Sequence, residues 1–393
     1  MRDVAWRRHE DERWIVGDPG RQHEMVPYPA DIAASRPDTT IDGANLGRIE
    51  YRAVSLRGFS HWGKKEPRQD AYLLRVSANG QWLVGCVADG VSQSKYSHMA
   101  ADIACREITR HITAALDEQP AITAPDHWRK LAEELPWPQA VDQANAAMMA
   151  KASTGTREPK DAGPLDARTV RGAMASTAVG FAAATAPAED GQLPYVLVVV
   201  AGDSSALILS EGRWRPITTV KNAGSDVPTN AVLALPRDVQ VAPVTGFLRP
   251  GEALVVVTDG IGEPMGTGTG EVGQFLAAHW SRPPDLFAFA GHAAFYRRGF
   301  TDDRTAVAVW HKPDNQWPDA ATETDAATEA DAVNEADAVE EISVASRPDQ
   351  VGEDGRPPEG DEDKPDEHVA EMPLAGDSLD QVFSWFGEEG NSD

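Results

Sequence analysis

Short apolar runs of β type alternate along the chain with longer stretches whose apolar residues return at helical spacing. YRAVSLR from Tyr51, AYLLRV from Ala71 and WLVGCVAD from Trp82 are bounded by turn residues and predict strands. Between Tyr96 and Leu116 the apolar positions Met99, Ile103, Ile108, Ile112 and Leu116 predict a helix lying on that sheet. A second helix is predicted over 139–152 (QAVDQANAAMMAKA), and TGTREPKDAGP after it reads as a loop. MASTAVGFAAAT, YVLVVVAG, SALILSEG and WRPIT then succeed one another with turn residues between them, which predicts a meander of antiparallel neighbours rather than βαβ units. Beyond a Pro/Gly/Asn-rich stretch near 221–237, EALVVVTDG predicts a strand, VGQFLAAHW and DLFAFAGHAAFYRR predict helices, and TAVAVW at 305–310 predicts a last strand. Strand blocks interleaved with helix pairs predict an α+β layered sandwich, with residues 48–312 as one domain.

The two ends lack such periods. Residues 1–47 read as an irregular leader that Trp6 and Trp14 pin to the domain. At the other end, a six-residue unit (DAATEA, DAVNEA, DAVEE) recurs at Asp325, Asp331 and Asp337, and the stretch after it is rich in Pro, Gly, Asp and Glu. Such a composition buries too little apolar surface to offset the entropy of ordering, so 313–370 is predicted to be a disordered acidic linker. Charge sharpens the division. The 393 residues carry a net −26, yet 313–393 hold 25 acidic against 3 basic residues, net −22, leaving −4 for everything before.

A near-neutral body and an acidic tail exclude a clamp that binds nucleic acid through phosphate contacts. The longest apolar runs are far shorter than a membrane span, and the charged N-terminus lacks a signal peptide's apolar core, so a soluble, cytoplasmic protein is expected. Two cysteines, Cys86 and Cys105, cannot make a disulfide framework or a four-cysteine zinc site, and their apolar surroundings predict buried, reduced thiols.

The chemistry resides in aspartates at the edges of apolar runs. Asp70 precedes AYLLRV, Asp89 ends WLVGCVA before Gly90, Asp259 ends ALVVVT before Gly260, and Asp302 with Asp303 precedes RTAVAVW. Each alone is also an ordinary turn residue. Converging at one sheet edge, however, they would repel one another unless divalent cations lay between them, and an oxygen-only set suits Mg²⁺ or Mn²⁺. Gly90, without a Cβ, would let its carbonyl approach an ion.

In succession, SHWGKKEPRQDAY, VADGVS, MASTAVG, VAGDSSALIL, VVTDGI and TDDRTAVAV resemble the metal-dependent protein phosphatases of the 2C class, in particular their short bacterial members. The resemblance runs from about Tyr51 to Trp310. It implies a four-layer αββα sandwich, a binuclear Mn²⁺/Mg²⁺ site, and hydrolysis of phosphoserine and phosphothreonine in proteins, opposing a cognate protein kinase. Carried over by position, Asp89 would bridge both ions, the Gly90 carbonyl would bind one, Asp259 and Asp302 would hold the other, and Asp70 would contact metal-bound water. Two such ions can lower the pKa of a bridging water and clamp phosphoryl oxygens.

Departures from the family pattern bear on the same site. Gln69 stands where many members have Glu. Lys65 stands where many have the arginine that grips substrate phosphate, with Lys64 and Arg68 nearby, and a lysine lacks the bidentate fork. Val91 occupies the position of a histidine taken as general acid in eukaryotic members; His61 is either a substitute for it or a packed histidine. Asp303 replaces a common Asn and is expected to support Asp302 from behind, and Glu263 to orient the Asp-Gly turn. The segment RTVRGAMASTA has no acid at the spacing used for a third metal, so two tight ions are expected, with a third weak or absent. Asp203 and Ser204 in GDSS are expected to fix a hairpin. The ten histidines show no zinc-protease spacing, and GTGTG is a flexible loop rather than a nucleotide cradle.

The main rival is a phosphoprotein-binding regulatory module of the same fold with weak or no catalysis; a metal nuclease is disfavoured by the lack of a basic groove. In the tail region 371–393, Leu379, Val382, Phe383 and Phe386 fall on one face of a short helix capped by Asp377 and stopped by Gly387. It would dock back on its own domain or, tethered by the linker, recruit a kinase or substrate. On the recruitment reading, truncation after residue 370 is expected to reduce pull-down of partners and activity on protein substrates; no change in either would refute it.

Overall fold

Strands buried on both faces read as unbroken apolar runs rather than alternating ones, and the central strands of this fold are of that kind. The computed structural model describes residues 6–10, 12–20, 36–119, 124–154, 165–218 and 233–314. The predicted linker beyond Asp314 and the predicted docking helix lie outside the described residues.

A six-stranded antiparallel sheet has the spatial order β10 (Arg213–Pro216), β9 (Ser205–Ser210), β12 (Ala253–Val257), β13 (Arg304–His311), β4 (Ile49–Leu56), β3 (Thr39–Leu46). A five-stranded antiparallel sheet runs β11 (Val244–Leu248), β8 (Leu193–Ala201), β7 (Ala178–Ala184), β6 (Trp82–Ala88), β5 (Ala71–Val76). Every residue of β6, β7, β12 and β13 is buried, whereas the edge strands β3 and β10 are half-buried or exposed throughout. One apolar core takes in Ala53, Val256 and Val307 of one sheet with Val84, Phe181 and Val198 of the other.

Helices cover both outer faces. On the five-stranded sheet lies α2 (Ser97–Asp117), packed in turn on α4 (Trp137–Thr154), while α3 (Pro125–Glu134), between them in the chain, meets β8. Ile103, Ile108, Ile112 and Leu116 of α2 are buried, as their spacing predicts. On the other side α8 (Leu286–Ala293) packs on β4 and β3, and α7 (Glu271–Trp280) on β10. The architecture is the predicted α+β, four-layer αββα sandwich.

The structure corrects the sequence reading in three places. First, the leader is not irregular: β1 (Trp6–Arg8) pairs with β2 (Trp14–Val16), and 39–46 form an edge strand. Trp6 and Trp14 do pin it, their rings lying 5.7 and 5.4 Å from that of Phe275 on α7. Second, the helix predicted over 285–298 stops at Ala293, because Tyr296 exchanges backbone hydrogen bonds with Trp14 and Val16 of β2 (2.7 and 3.1 Å). Third, the predicted meander breaks after β8, where the chain leaves one sheet and enters the other at β9. The segment Gly202–Ser204 is therefore a crossing between sheets, not a hairpin. Gly202 takes φ +94°, and a Cβ there would lie 2.3 Å from Thr177 Cγ2. Cys86 and Cys105 are buried and unbridged, and among the described residues no helix is long and apolar enough to cross a membrane.

Two histidines are held neutral in these helical layers. Burial, then the charges of His279 and Arg8, push His292 down to about 3, and burial with the charge of Arg36 pushes His98 down to about 4. In the unfolded chain each binds its proton near pH 6.5, so below that pH the unfolded state holds more protons and stability falls, by up to about 1.4 kcal/mol per pH unit for each. In urea unfolding of metal-free protein between pH 7 and 5, His292→Leu is expected to lose stability less steeply than the parent; parallel slopes would show that His292 is not held neutral.

Candidate metal centre

Strand register brings the acidic residues to one end of the sandwich. Ala71 pairs with Ala88, so Asp70 and Asp89, one residue outside each, emerge side by side. In the other sheet Val257 pairs with both Ser205 and Ala306, which sets Asp259 beside the crossing that carries Asp203 and beside the approach to β13 that carries Asp302. Asp89, Gly90, Asp203, Asp259 and Asp302 line one cleft of about 540 Å³. Carboxylate oxygens of Asp89, Asp203 and Asp259 lie within 4.8 Å of one another.

The backbone around these residues is tied closely. Asp89 N donates to Thr177 Oγ1 (3.0 Å), and Asp89 O accepts from Thr177 N (2.8 Å) and Ser176 Oγ (2.9 Å). Asp259 opens a helix, α6 (Asp259–Met265), rather than a simple turn. Gly260 is needed there because a Cβ would lie 1.9 Å from Asp303 O, and at Gly90 one would lie 2.8 Å from Gln69 O. The Asp-Gly pairs therefore mark close backbone approach. Glu263 sits one turn along α6, so its expected role at a turn is replaced by a place on a helix.

Asp70 is buried, its Oδ2 accepting from Thr258 Oγ1 (2.7 Å), while Thr258 Oγ1 also accepts from Thr305 N (3.0 Å). Asp303 is buried too and faces the 58–70 segment. Its Oδ1 accepts from Gly58 N (2.6 Å) and bonds His61 Nδ1 (2.8 Å), and its Oδ2 accepts from Gln69 N and from Asp70 N (3.3 Å). Gln69 is buried, and its side-chain Oε1 has no hydrogen-bond partner among the described residues.

Electrostatics follow from this crowding. Desolvation, then Asp259, Asp70, Asp302 and Asp203, hold the Asp89 carboxyl well above the usual range. Desolvation and Asp303 do the same for Asp70, against the Thr258 hydroxyl. Asp302 is raised by burial and by Asp303, with His61 and Lys64 opposing. Burial would raise Asp303, yet its bonds from His61 and the backbone leave it lowered; His61 in turn is raised by Asp303 and Asp302 against its own burial. The donor set, carboxylates and the Gly90 carbonyl with no thiol or imidazole lining the cleft among the described residues, fits hard divalent cations, whose charge would offset this repulsion.

Of the expected phosphate-binding side chains, none lines this cleft. Arg68, 4% exposed, turns inward to Ser55 Oγ and Asp70 O, and Arg36 donates to Asp70 O (2.6 Å) beside it. Lys64 and Lys65 are exposed at the end of α1 (Phe59–Lys64), where Lys64 Nζ lies 4.0 Å from Glu66. His61 is 1% exposed, with Nε2 3.7 Å from Asp302 Oδ1 and 3.8 Å from Glu66 Oε2, which places it behind Asp302 and outside the cleft lining. Sequence reading gave Asp203 to a hairpin and passed over Arg171, which also lines the cleft. Asp203 follows VLVVVAG at a strand end as the other aspartates do, and that was the available signal; Arg171 carried none.

The sequence model of a family described as protein phosphatase 2C matches residues 57–285. No curated protein matches the chain. Among solved structures, the S. agalactiae serine/threonine phosphatase is similar at 13% identity and a TM-score of 0.41, covering 70% of this chain and 100% of that one. The Mycobacterium tuberculosis serine/threonine phosphatase PstP/Ppp is similar at 17% identity and a TM-score of 0.40, covering 67% and 99%. The catalytic domain of PstP in complex with two manganese ions is similar at 20% identity and 0.39, covering 69% and 98%.

Thr258→Val keeps the shape of the side chain and removes the hydroxyl that serves both Asp70 and Thr305. It is expected to cost about 1–3 kcal/mol in urea unfolding of the metal-free protein; a change below about 0.5 kcal/mol, the level of a surface substitution, would mean the hydroxyl is not what holds Asp70.

Proposed function

Because the chain belongs to the protein phosphatase 2C family, we propose that it hydrolyses phosphoserine and phosphothreonine esters of proteins in the four-carboxylate cleft, using two Mn²⁺ or Mg²⁺ ions. The observation that carries this reading is the meeting of Asp89, Gly90, Asp259 and Asp302 in one cleft, from three separate parts of the chain. Such ions supply Lewis acidity, lowering the pKa of water towards neutrality and offsetting charge on phosphoryl oxygens.

The chain's own residues supply position. Asp89 and Gly90 O, at the end of β6, and Asp259 and Asp302, from the other sheet, would hold the two ions from opposite sides. Asp203, with a carboxylate oxygen within 4.8 Å of those of Asp89 and Asp259, would add a further oxygen ligand. Thr258 holds Oδ2 of Asp70, which is buried behind the cleft and would act there through its charge beside Asp89 and Asp259. Asp303 and His61 fix Asp302 from behind, the Asp303 N–H donating to Asp302 Oδ1 (2.9 Å) and the imidazole facing the same oxygen. With His61 buried, the departing alkoxide takes its proton from solvent rather than from this ring.

The regulatory-module reading is favoured by one observation, that Lys64, Lys65 and Arg68 do not line the cleft. Turnover separates the two. Hydrolysis of p-nitrophenyl phosphate and of a phosphothreonine peptide is expected to require Mn²⁺, and Asp89→Asn or Asp259→Asn to lower it by about a hundredfold or more. Absence of turnover at millimolar Mn²⁺, in protein whose melting temperature the ion raises, would favour the binding module; full activity in either variant would exclude this cleft.

A further inference from the structure

A cleft that receives a phosphate monoester needs more than its metal ligands. Two divalent cations among Asp89, Asp203, Asp259 and Asp302 leave the lining near neutrality, whereas the ester brings close to two negative charges. Arg171 is the one cationic side chain lining that cleft among the described residues. It lies on α5 (Ala167–Ala173), a short helix capped by Asp166, whose Oδ1 accepts from Thr169 N (2.7 Å).

The guanidinium is braced from one side. Its Nη1 donates to Pro236 O (2.7 Å), and among the described residues it makes no ion pair, although carboxylates line the same cleft. The braced carbonyl is itself fixed: Leu235 exchanges backbone hydrogen bonds with Ser176 (2.9 and 3.3 Å), and Asn145 holds both N and O of Arg237 (3.1 and 2.8 Å). The Arg171 carbonyl accepts from Ser94 Oγ (3.1 Å), and Ser94 lines the cleft as well. Backbone and side chain are thus set before a ligand arrives, which limits the entropy lost on binding.

We propose that Arg171 grips the phosphoryl group of the substrate and of the orthophosphate product, supplying from α5 the fork that Lys65, just past the end of α1, cannot supply. The choice of ligand rests on the phosphatase reading above. One guanidinium edge stays on Pro236 O while the remaining N–H groups bond phosphoryl oxygens, as arginine does where planar recognition of phosphate is required. The alternative is a strut that only ties α5 to the 233–240 segment.

Calorimetric titration of the full-length, Mn²⁺-loaded protein with orthophosphate tests this without recourse to turnover. Arg171→Gln is expected to weaken phosphate binding about tenfold or more. Arg171→Lys should fall between that variant and the parent, and Mn²⁺ affinity and melting temperature should stay close to the parent's. In turnover, KM for p-nitrophenyl phosphate should rise more than kcat falls. Phosphate affinity within twofold of the parent in Arg171→Gln, or a matching loss of Mn²⁺ affinity, would leave Arg171 a strut and overturn the proposal. Phosphate binding that depends on Arg171 in a parent with no Mn²⁺-dependent hydrolysis would uphold it and reject the phosphatase reading instead.

Discussion

Like charges collected at one end of a sandwich must be held there against their mutual repulsion and against the loss of water. Asp70, Asp89, Asp203, Asp259 and Asp302 are brought together by strand register, and burial with mutual repulsion raises the pKa of Asp70, Asp89 and Asp302. Much of the surrounding structure answers that problem. The central strands of both sheets are buried on two faces, so neither sheet can slide to separate the carboxylates without moving the apolar core. Thr177 and Ser176 clamp the Asp89 backbone, and Thr258 clamps the Asp70 side chain. The arrangement stores repulsion that divalent cations held in the cleft would relieve, which would link metal binding to stability as well as to chemistry.

Asp303, like Asp70, is buried and does not line the cleft. Its bonds to Gly58, His61, Gln69 and Asp70 tie the 58–70 segment to the start of β13, so Asp70 and Asp302, 232 residues apart in the sequence, share one anchor. Arg36 and Arg68 support that segment from its other side through the Asp70 carbonyl. One arginine of the KKEPR stretch is a structural ligand of the backbone, and among the described residues the cation lining the cleft comes from a helix more than a hundred residues later.

The sequence by itself determined most of the elements and the strand-end aspartates that meet in the cleft. Apolar runs fall where β4, β5, β6, β7, β8, β9, β12 and β13 lie, and the period of α2 places its buried face, because a strand or helix must offer apolar side chains wherever it meets the core. Strand-end aspartates beside glycine were legible for the same reason, since a carboxylate there has no packing purpose. Only the tertiary structure decided which sheet each strand joined, and with it the fate of Asp203: β8 and β9 are neighbours in sequence with a short link, and nothing local distinguishes a hairpin from a crossing between layers. The same holds for direction. Lys65, Arg68, His61 and Arg171 are polar residues on short segments without a period, and whether such a side chain turns to the cleft, to solvent or to a backbone carbonyl is set by contacts with partners that lie far away along the chain.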